Sequence, residues 1–210
     1  MNYSTVIWDW NGTLLDDLSL CGETLNKLLQ RHDCEPIKEI ESYKKIFGFP
    51  IIDYYKRAGF DFDKCSFDTL AHEYMDIYMP ASLECGIVPN AKNVLAELSG
   101  RGVAQIVLSA SEQSNLEQQV SHYGLNEYFT QLVGSNNIYG VSKIDAGKAW
   151  LRDNNIDPAS AVMIGDTEHD FEVASAMGVD CILSSLGHRP RKALLATGQR
   201  VIDDLREILK

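Results

Sequence analysis

Four short stretches of this 210-residue chain carry residues whose types and spacing suit chemistry. The apolar run Val6-Ile7-Trp8 leads into Asp9-Trp10-Asn11-Gly12-Thr13-Leu14, and Ile106-Val107-Leu108 ends in Ser109. Ser142-Lys143-Ile144-Asp145 reads as a capping box that sets Lys143 in the first turn of a helix. Val162-Met163-Ile164 leads into Gly165-Asp166-Thr167-Glu168-His169-Asp170, where two carboxylates four apart share one face of a turn opening into a helix. A buried strand that ends in a polar residue presents it at the carboxyl edge of its sheet, where ligands bind in open α/β folds. Carboxylates, a hydroxyl and an ammonium at one edge can hold a divalent cation and an anionic group together.

The elements that must position these residues follow from the apolar pattern. Runs at 5–10, 103–109, 131–134, 161–165 and 181–183 predict strands, and amphipathic stretches at 91–98, 115–123, 144–154 and 171–177 predict helices. Val201-Ile202 adds a short final strand, followed by a last helix from Asp204. Gly102, Gly124 and Gly178 each follow a helical stretch, where a left-handed capping residue is expected. The alternation predicts an α/β fold with a doubly wound parallel sheet. The segment 16–86 breaks this rhythm: it has no clean strand, and Tyr43, Phe47, Tyr54, Tyr55, Tyr74 and Tyr78 recur at helical spacing. It reads as an α-helical insertion into a core made of 1–15 and 87–210.

With these motifs in this order, the chain resembles the haloacid dehalogenase superfamily of aspartate-nucleophile phosphatases, and its phosphoglycolate phosphatase-like branch in particular. The resemblance rests on DWNGTL at 9–14, Ser109, Lys143 and GDTEHD at 165–170, with the helical insertion where that branch carries its cap. It implies a Rossmann-like core under a mobile helical cap, acting on a small phosphorylated metabolite with Mg²⁺ as cofactor. Asp9 would attack phosphorus and form an aspartyl-phosphate, splitting one displacement into two easier ones. Mg²⁺ would be held by Asp9, Asp166 and the backbone carbonyl of Asn11, with Asp170 orienting Lys143 or a water on the metal. Thr13, Ser109 and Lys143 would hold the phosphoryl oxygens. Halide displacement needs no divalent metal, so the acidic pair Asp166/Asp170 favours the phosphatase over the dehalogenase.

Asn11 departs from the pattern, because family phosphatases carry there an aspartate that protonates the leaving oxygen and then activates water. A carboxamide does neither near neutral pH, and general acid–base catalysis is typically worth about 10²–10⁴-fold. Three readings follow: a slow or specialised phosphatase, a feeble phosphate- and metal-binding regulatory protein, or activity supplied by deamidation at Asn11-Gly12. A mutase of the same branch also stays open. Around the motifs, Glu168 reads as a solvated turn residue and Lys148 as a surface lysine. His169 and His188-Arg189 lie near enough to touch substrate, Lys44, Lys45 and Arg57 read as a solvated cap face, and 45–50 is the candidate specificity loop.

The net charge of −11 argues against nucleic acid or an anionic membrane as partner, and makes a local cation necessary for an anionic substrate. Five cysteines without a CxxC pair read as reduced thiols of a cytoplasmic protein. No apolar run approaches the ~20 residues of a membrane span, and no signal peptide is expected. Nothing in the sequence marks an oligomeric interface.

Overall fold

The computed structural model describes residues 3–140 and 142–210. Six strands form one sheet: β1 (Thr5–Trp8), β2 (Ala104–Glu112), β3 (Gln131–Ser135), β4 (Ala161–Gly165), β5 (Asp180–Ser184) and β6 (Arg200–Ile202). All pairings are parallel, in the order β3-β2-β1-β4-β5-β6. The strands are apolar on both sides because both faces of the sheet are covered. Val6 and Trp8 of β1 join one core cluster with Val162 and Ile164, while Ile7 joins another with Met163 on the opposite face. Helices α5 (Ala91–Gly100) and α6 (Gln113–His122) cover the first face; α7 (Ile144–Asp153), α8 (Glu168–Met177) and α9 (Arg191–Ala196) cover the second. The fold is the expected doubly wound α/β sheet. After β3 the chain crosses to the far side of β1, so the strand order reverses between β1 and β4. The crevice outside that switch point is the ligand site of such sheets.

Four further helices lie between β1 and α5: α1 (Leu18–Arg31), α2 (Ile40–Ile46), α3 (Ile51–Ala58) and α4 (Phe67–Ser82). They bury a cluster of their own around Leu25, Leu28, Tyr43, Tyr54, Tyr55 and Tyr78, separate from the two clusters that flank the sheet. Chain leaves and re-enters the sheet side by side, with Asp16 N donating to Gly86 O at 3.1 Å and Val88 N to Leu14 O at 2.9 Å.

Local structure differs from expectation at several ends. β1 stops at Trp8 rather than at residue 10, because Thr13, Leu14 and Leu15 turn their N–H groups back onto the Trp10 carbonyl. β2 runs on to Glu112, and α6 starts at Gln113. α8 begins at Glu168 rather than 171, since Thr167 and Asp170 form a capping box that starts the helix early. α9, preceded by Pro190, was not anticipated; a six-residue helix carries too little periodicity to be read. The final helical element is a 3₁₀ stretch, Leu205–Leu209, capped by Asp204. No helix among the described residues is long and apolar enough to cross a membrane.

Candidate active site

Asp9 follows β1 directly, and its N–H continues the ladder to Ile164 O at 2.8 Å, so the rigid sheet fixes its backbone. The tight turn after it needs Gly12 at φ +70°, where a side chain would be strained and a Cβ would lie 2.5 Å from the His188 ring. That turn brings Thr13 back over the edge. Its hydroxyl lies 3.3 Å from Asp9 Oδ2 and 3.3 Å from Asp166 Oδ1, bridging the ends of β1 and β4.

Lys143 is buried and its ammonium sits between Asp9 Oδ1 and Asp170 Oδ1, the latter at 2.8 Å. It does not occupy the first turn of α7 as a capping box would place it. Gly147 N donates to the Lys143 carbonyl at 3.0 Å, so Lys143 is itself the capping position, and Ser142 Oγ stands off at 3.5 Å from Ile144 N. Asp170 Oδ2 accepts from Asp166 N, Thr167 N and Thr167 Oγ1 at 3.1, 3.0 and 2.7 Å, which locks the turn between β4 and α8. Ser109, buried on β2, accepts from Ser111 N at 3.1 Å. Asp9, Asn11, Ser109, Lys143, Asp166 and Asp170 all wall one cavity of about 50 Å³, sized for a compact group rather than a whole metabolite. Thr13 stands behind it, fully buried.

The electrostatics are those of a cation site. Carboxylate oxygens of Asp9, Asp166 and Asp170 lie within 4.8 Å of one another. Burial raises Asp9 to about 6 against the pull of Lys143, with the charge of Asp170 adding to the rise. Burial raises Asp166 to about 8 although His188 opposes it, and Asp9 and Asp170 push it further. Asp170 is held below its usual range: burial works against ionisation, but Lys143 and the Thr167 hydrogen bonds overcome it. Lys143 thus pairs with two of the three buried carboxylates, while Asp166 faces His188. Hard oxygens with excess negative charge fit a hard divalent ion such as Mg²⁺.

Asn11 has a different environment. Its amide donates to Asp17 Oδ2 at 2.8 Å and to the Tyr78 hydroxyl at 2.7 Å, and its Oδ1 accepts from Ser111 Oγ at 2.7 Å. Asp17, fully buried, also accepts from Tyr78 at 2.6 Å and Gly12 N at 2.9 Å, and pairs with His188 Nε2 at 3.1 Å. Burial would raise Asp17, yet His188, Tyr78 and Asn11 hold it at about 2. Burial would lower His188, yet Asp17 and Asp166 hold it above its ordinary value. His188 N donates to Asp166 Oδ2 at 2.6 Å, and its ring meets the Tyr43 hydroxyl at 3.0 Å. The sequence reading missed Asp17, Tyr78 and Ser111. The doublet Asp16-Asp17, directly after Leu14-Leu15, was the available signal that one acid turns inward.

Of the neighbours, His188 reaches the site and Lys148 is exposed. Arg189 instead clamps the helical insertion to the sheet. It forms a two-pronged pair with Glu168, both at 2.7 Å, and donates to the carbonyls of Lys44, Lys45 and Phe47 at 2.9, 3.3 and 2.6 Å. Glu168 is therefore a paired, partly buried residue, not the solvated turn residue expected, because the fork of Arg189 covers it. His169 stacks on Phe49 with ring centres 4.5 Å apart, its Nδ1 3.1 Å from Glu172. Lys45 and Arg57 line an outer cleft of about 350 Å³ with Arg189, Glu168 and His169, while Lys44 contributes its carbonyl.

Residues 6–184 match the family model described as haloacid dehalogenase-like hydrolase. Phosphoglycolate phosphatase of Synechococcus elongatus is 23% identical over 196 residues, covering 91% of this chain and 88% of its own length. Tyrosine-protein kinase PtkA of Mycobacterium tuberculosis is 26% identical over 215 residues, covering 97% of this chain and 72% of its own. A predicted phosphatase from Clostridium acetobutylicum shares the fold, with a TM-score of 0.85 at 22% identity over 99% of this chain and 97% of that one.

Proposed function

This chain belongs to the haloacid dehalogenase-like hydrolases, and from that premise we propose that it is a Mg²⁺-dependent phosphatase of a small phosphorylated metabolite, with Asp9 as nucleophile and an acid–base step weakened by Asn11. The observation that carries this reading is the convergence of Asp9, Ser109, Lys143, Asp166 and Asp170 on one small cavity at the switch point of the sheet. Residues 16–86 act as the cap over a core of 1–15 and 87–210. The charge of −11 and the free thiols fit a cytoplasmic enzyme without nucleic acid or membrane partner.

Asp9 Oδ2 attacks phosphorus as the phosphorus–oxygen bond to the leaving group breaks, and that group departs as its alkoxide or aryloxide. Water then attacks the acyl phosphate, releasing inorganic phosphate and restoring the Asp9 carboxylate. Lys143 keeps Asp9 oriented and meets the charge on the phosphoryl oxygens, together with the hydroxyls of Thr13 and Ser109. Asp170 fixes Lys143 and the turn that carries Asp166. Asp9, Asp166 and the Asn11 carbonyl would hold Mg²⁺, with Asp170 completing the acidic set, and the ion would supply positive charge against the transferred group. Phosphoryl transfer needs mainly positioning and electrostatic stabilisation, which these residues provide. Asn11 is held by three hydrogen bonds and offers no titratable proton, so turnover is slow for substrates whose leaving group needs protonation. The same locked amide favours a second reading, a feeble phosphate-binding regulatory protein.

The test is release of phosphate from an aryl phosphate, which needs no leaving-group acid, with and without Mg²⁺. The enzyme reading expects Mg²⁺-dependent release that falls by about 10³-fold or more in Asp9→Asn. Phosphate binding without turnover across a metabolite panel would leave the regulatory reading. Phosphoglycolate is the named substrate of one relative and a kinase activity that of another, at similar identity, so the likeness supports transfer at phosphorus without selecting a leaving group.

A further inference from the structure

Two of the spaces beside the phosphoryl cavity differ in chemistry. The outer cleft is polar, with Lys45, Arg57 and Arg189 on its walls, and the Phe49–His169 stack stands on its border. The inner cavity, of about 150 Å³, lies between the cap and the sheet edge and shares Asn11, Phe47, Phe49, Ala110 and His188 with the phosphoryl cavity. Asn11 lines the inner cavity and not the outer cleft. Position 11 is the one beside the leaving oxygen in the mechanism above, so the leaving group extends inward.

The walls of that cavity are mainly apolar, with Phe47, Phe49, Tyr55, Phe67, Tyr74 and Met75 among the largest side chains, and Asn11 and Ser111 polar at the sheet side. Among the described residues no lysine or arginine lines it, and the ionic groups on the wall are Asp17, Glu112 and His188. His188 is already engaged by Asp17 at 3.1 Å and by Tyr43 at 3.0 Å. A carboxylate on the leaving group would meet two carboxylates and no free cation. A polyol would leave many hydroxyls unpartnered against apolar walls, which is unfavourable for each. A cavity of about 150 Å³ lined by apolar side chains accepts a benzene-sized ring. On one wall Tyr54 keeps its buried hydroxyl without a hydrogen-bond partner among the described residues.

From these walls we infer that the substrate is a phosphate monoester whose leaving group is an uncharged, ring-sized apolar group of the aryl or arylmethyl class, bound against the cap aromatics. The inference rests on the phosphatase reading for its reaction but not for its binding.

The experiment compares benzyl phosphate with phosphoglycolate, because both release primary alkoxides and so differ in binding rather than in leaving-group chemistry. Benzylphosphonate and phosphonoacetate are titrated calorimetrically in Mg²⁺ alongside the kinetics. The expected result is at least about ten-fold tighter binding and higher kcat/KM for the benzyl compounds. Ala71→Leu, which fills the cavity from α4, then loses at least about ten-fold more affinity for benzylphosphonate than for inorganic phosphate. Should that variant fail to fold, Met75→Ala enlarges the same wall and shifts preference toward naphthylmethylphosphonate. Equal or tighter binding of phosphonoacetate, or no binding of either phosphonate, overturns the inference. Tight benzylphosphonate binding without phosphate release from any monoester keeps the inference and overturns the phosphatase reading.

Discussion

Asp9, Asp166 and Asp170 at the sheet edge are each held by at least one donor, whereas the adjoining cap cavity is walled by rings that touch chiefly other rings. The difference follows from the scaffold. A parallel sheet fixes the backbone at strand ends, so short side chains such as Asp9, Ser109 and Asp166 arrive within hydrogen-bond reach of one another. The cap has no such frame. Its interior packs ring on ring, as Phe47 does against Tyr54 with centres 5.2 Å apart, and it meets the sheet domain through Phe47 against His188 at 4.7 Å. A few polar links join the two as well: Asn11 with Tyr78, His188 with Tyr43, and the Arg189 clamp. The proposed function accordingly places the chemistry on the sheet edge and the choice of substrate on the helical insertion.

The largest effect expected across this boundary concerns Asn11. Its amide donates to an ionised Asp17, so Asn11→Asp alone sets two carboxylates against each other 2.8 Å apart. Exchanging both, Asn11→Asp with Asp17→Asn, restores a donor facing an acceptor. The double variant should raise kcat on an alkyl phosphate by about 10²-fold or more, the single variant by distinctly less. Equal gains would show that the two residues are not coupled, and no gain in either would show that position 11 does not limit turnover.

The asymmetry between the regions also decides what the sequence could tell. Strands β1, β2 and β4 hold short apolar runs followed by polar residues, so both the strands and the polar side chains at their ends were legible; β5 was legible as a strand alone. Lys143 was legible by type but not by backbone position, because its partners Asp9 and Asp170 come from the end of β1 and the first turn of α8 and no local pattern encodes that pairing. Asp17 drew no reading of its own from the sequence. Its role comes from Tyr78 and His188, 61 and 171 residues away. Arg189 and Glu168 meet across 21 residues, and a surface charge pair and a cap clamp read the same in one dimension. The aromatic spacing of 43–78 announced a helical core but not that it would leave a cavity.

A smaller effect is expected from the clamp. Arg189→Ala removes the two-pronged pair with Glu168 and three hydrogen bonds to the end of α2. Hydrogen bonds to charged groups contribute about 1.5–3 kcal/mol. Part of this is lost to solvent at the partly exposed Glu168, so about 1–2 kcal/mol of cap closure should remain at stake. KM should then rise by about ten-fold with kcat nearly kept, and amide exchange should quicken in α2 but not in β1 or β4. Arg189→Lys should not rescue, since an ammonium lacks the planar fork. Equal quickening in β1 would mean the clamp supports the whole molecule rather than the cap.

The smallest effect separates the two regions by pH. Folding raises Asp9 from 3.8 to about 6 and Asp166 from 3.8 to about 8, while Asp17, in the link to the cap, falls to about 2. A raised carboxylate contributes stability below its ordinary value and loses it as pH rises through the folded value. A depressed one contributes above its ordinary value and loses it as pH falls toward 2. Between pH 5 and 8 the Asp17 contribution is therefore constant, while those of Asp9 and Asp166 decline. His188, raised above 6.5, declines in the same direction. The metal-free protein should melt a few degrees lower at about pH 8 than at about pH 5. Mg²⁺ should reduce that difference, because it binds the ionised carboxylates of the folded state. Asp166→Asn should flatten both the pH slope and the Mg²⁺ response while leaving the cap aromatics packed, as read by near-ultraviolet circular dichroism. A slope that survives Asp166→Asn unchanged would assign the pH dependence to Asp9 and the His188 link rather than to Asp166, and Asp9→Asn in that background would separate the sheet edge from the boundary.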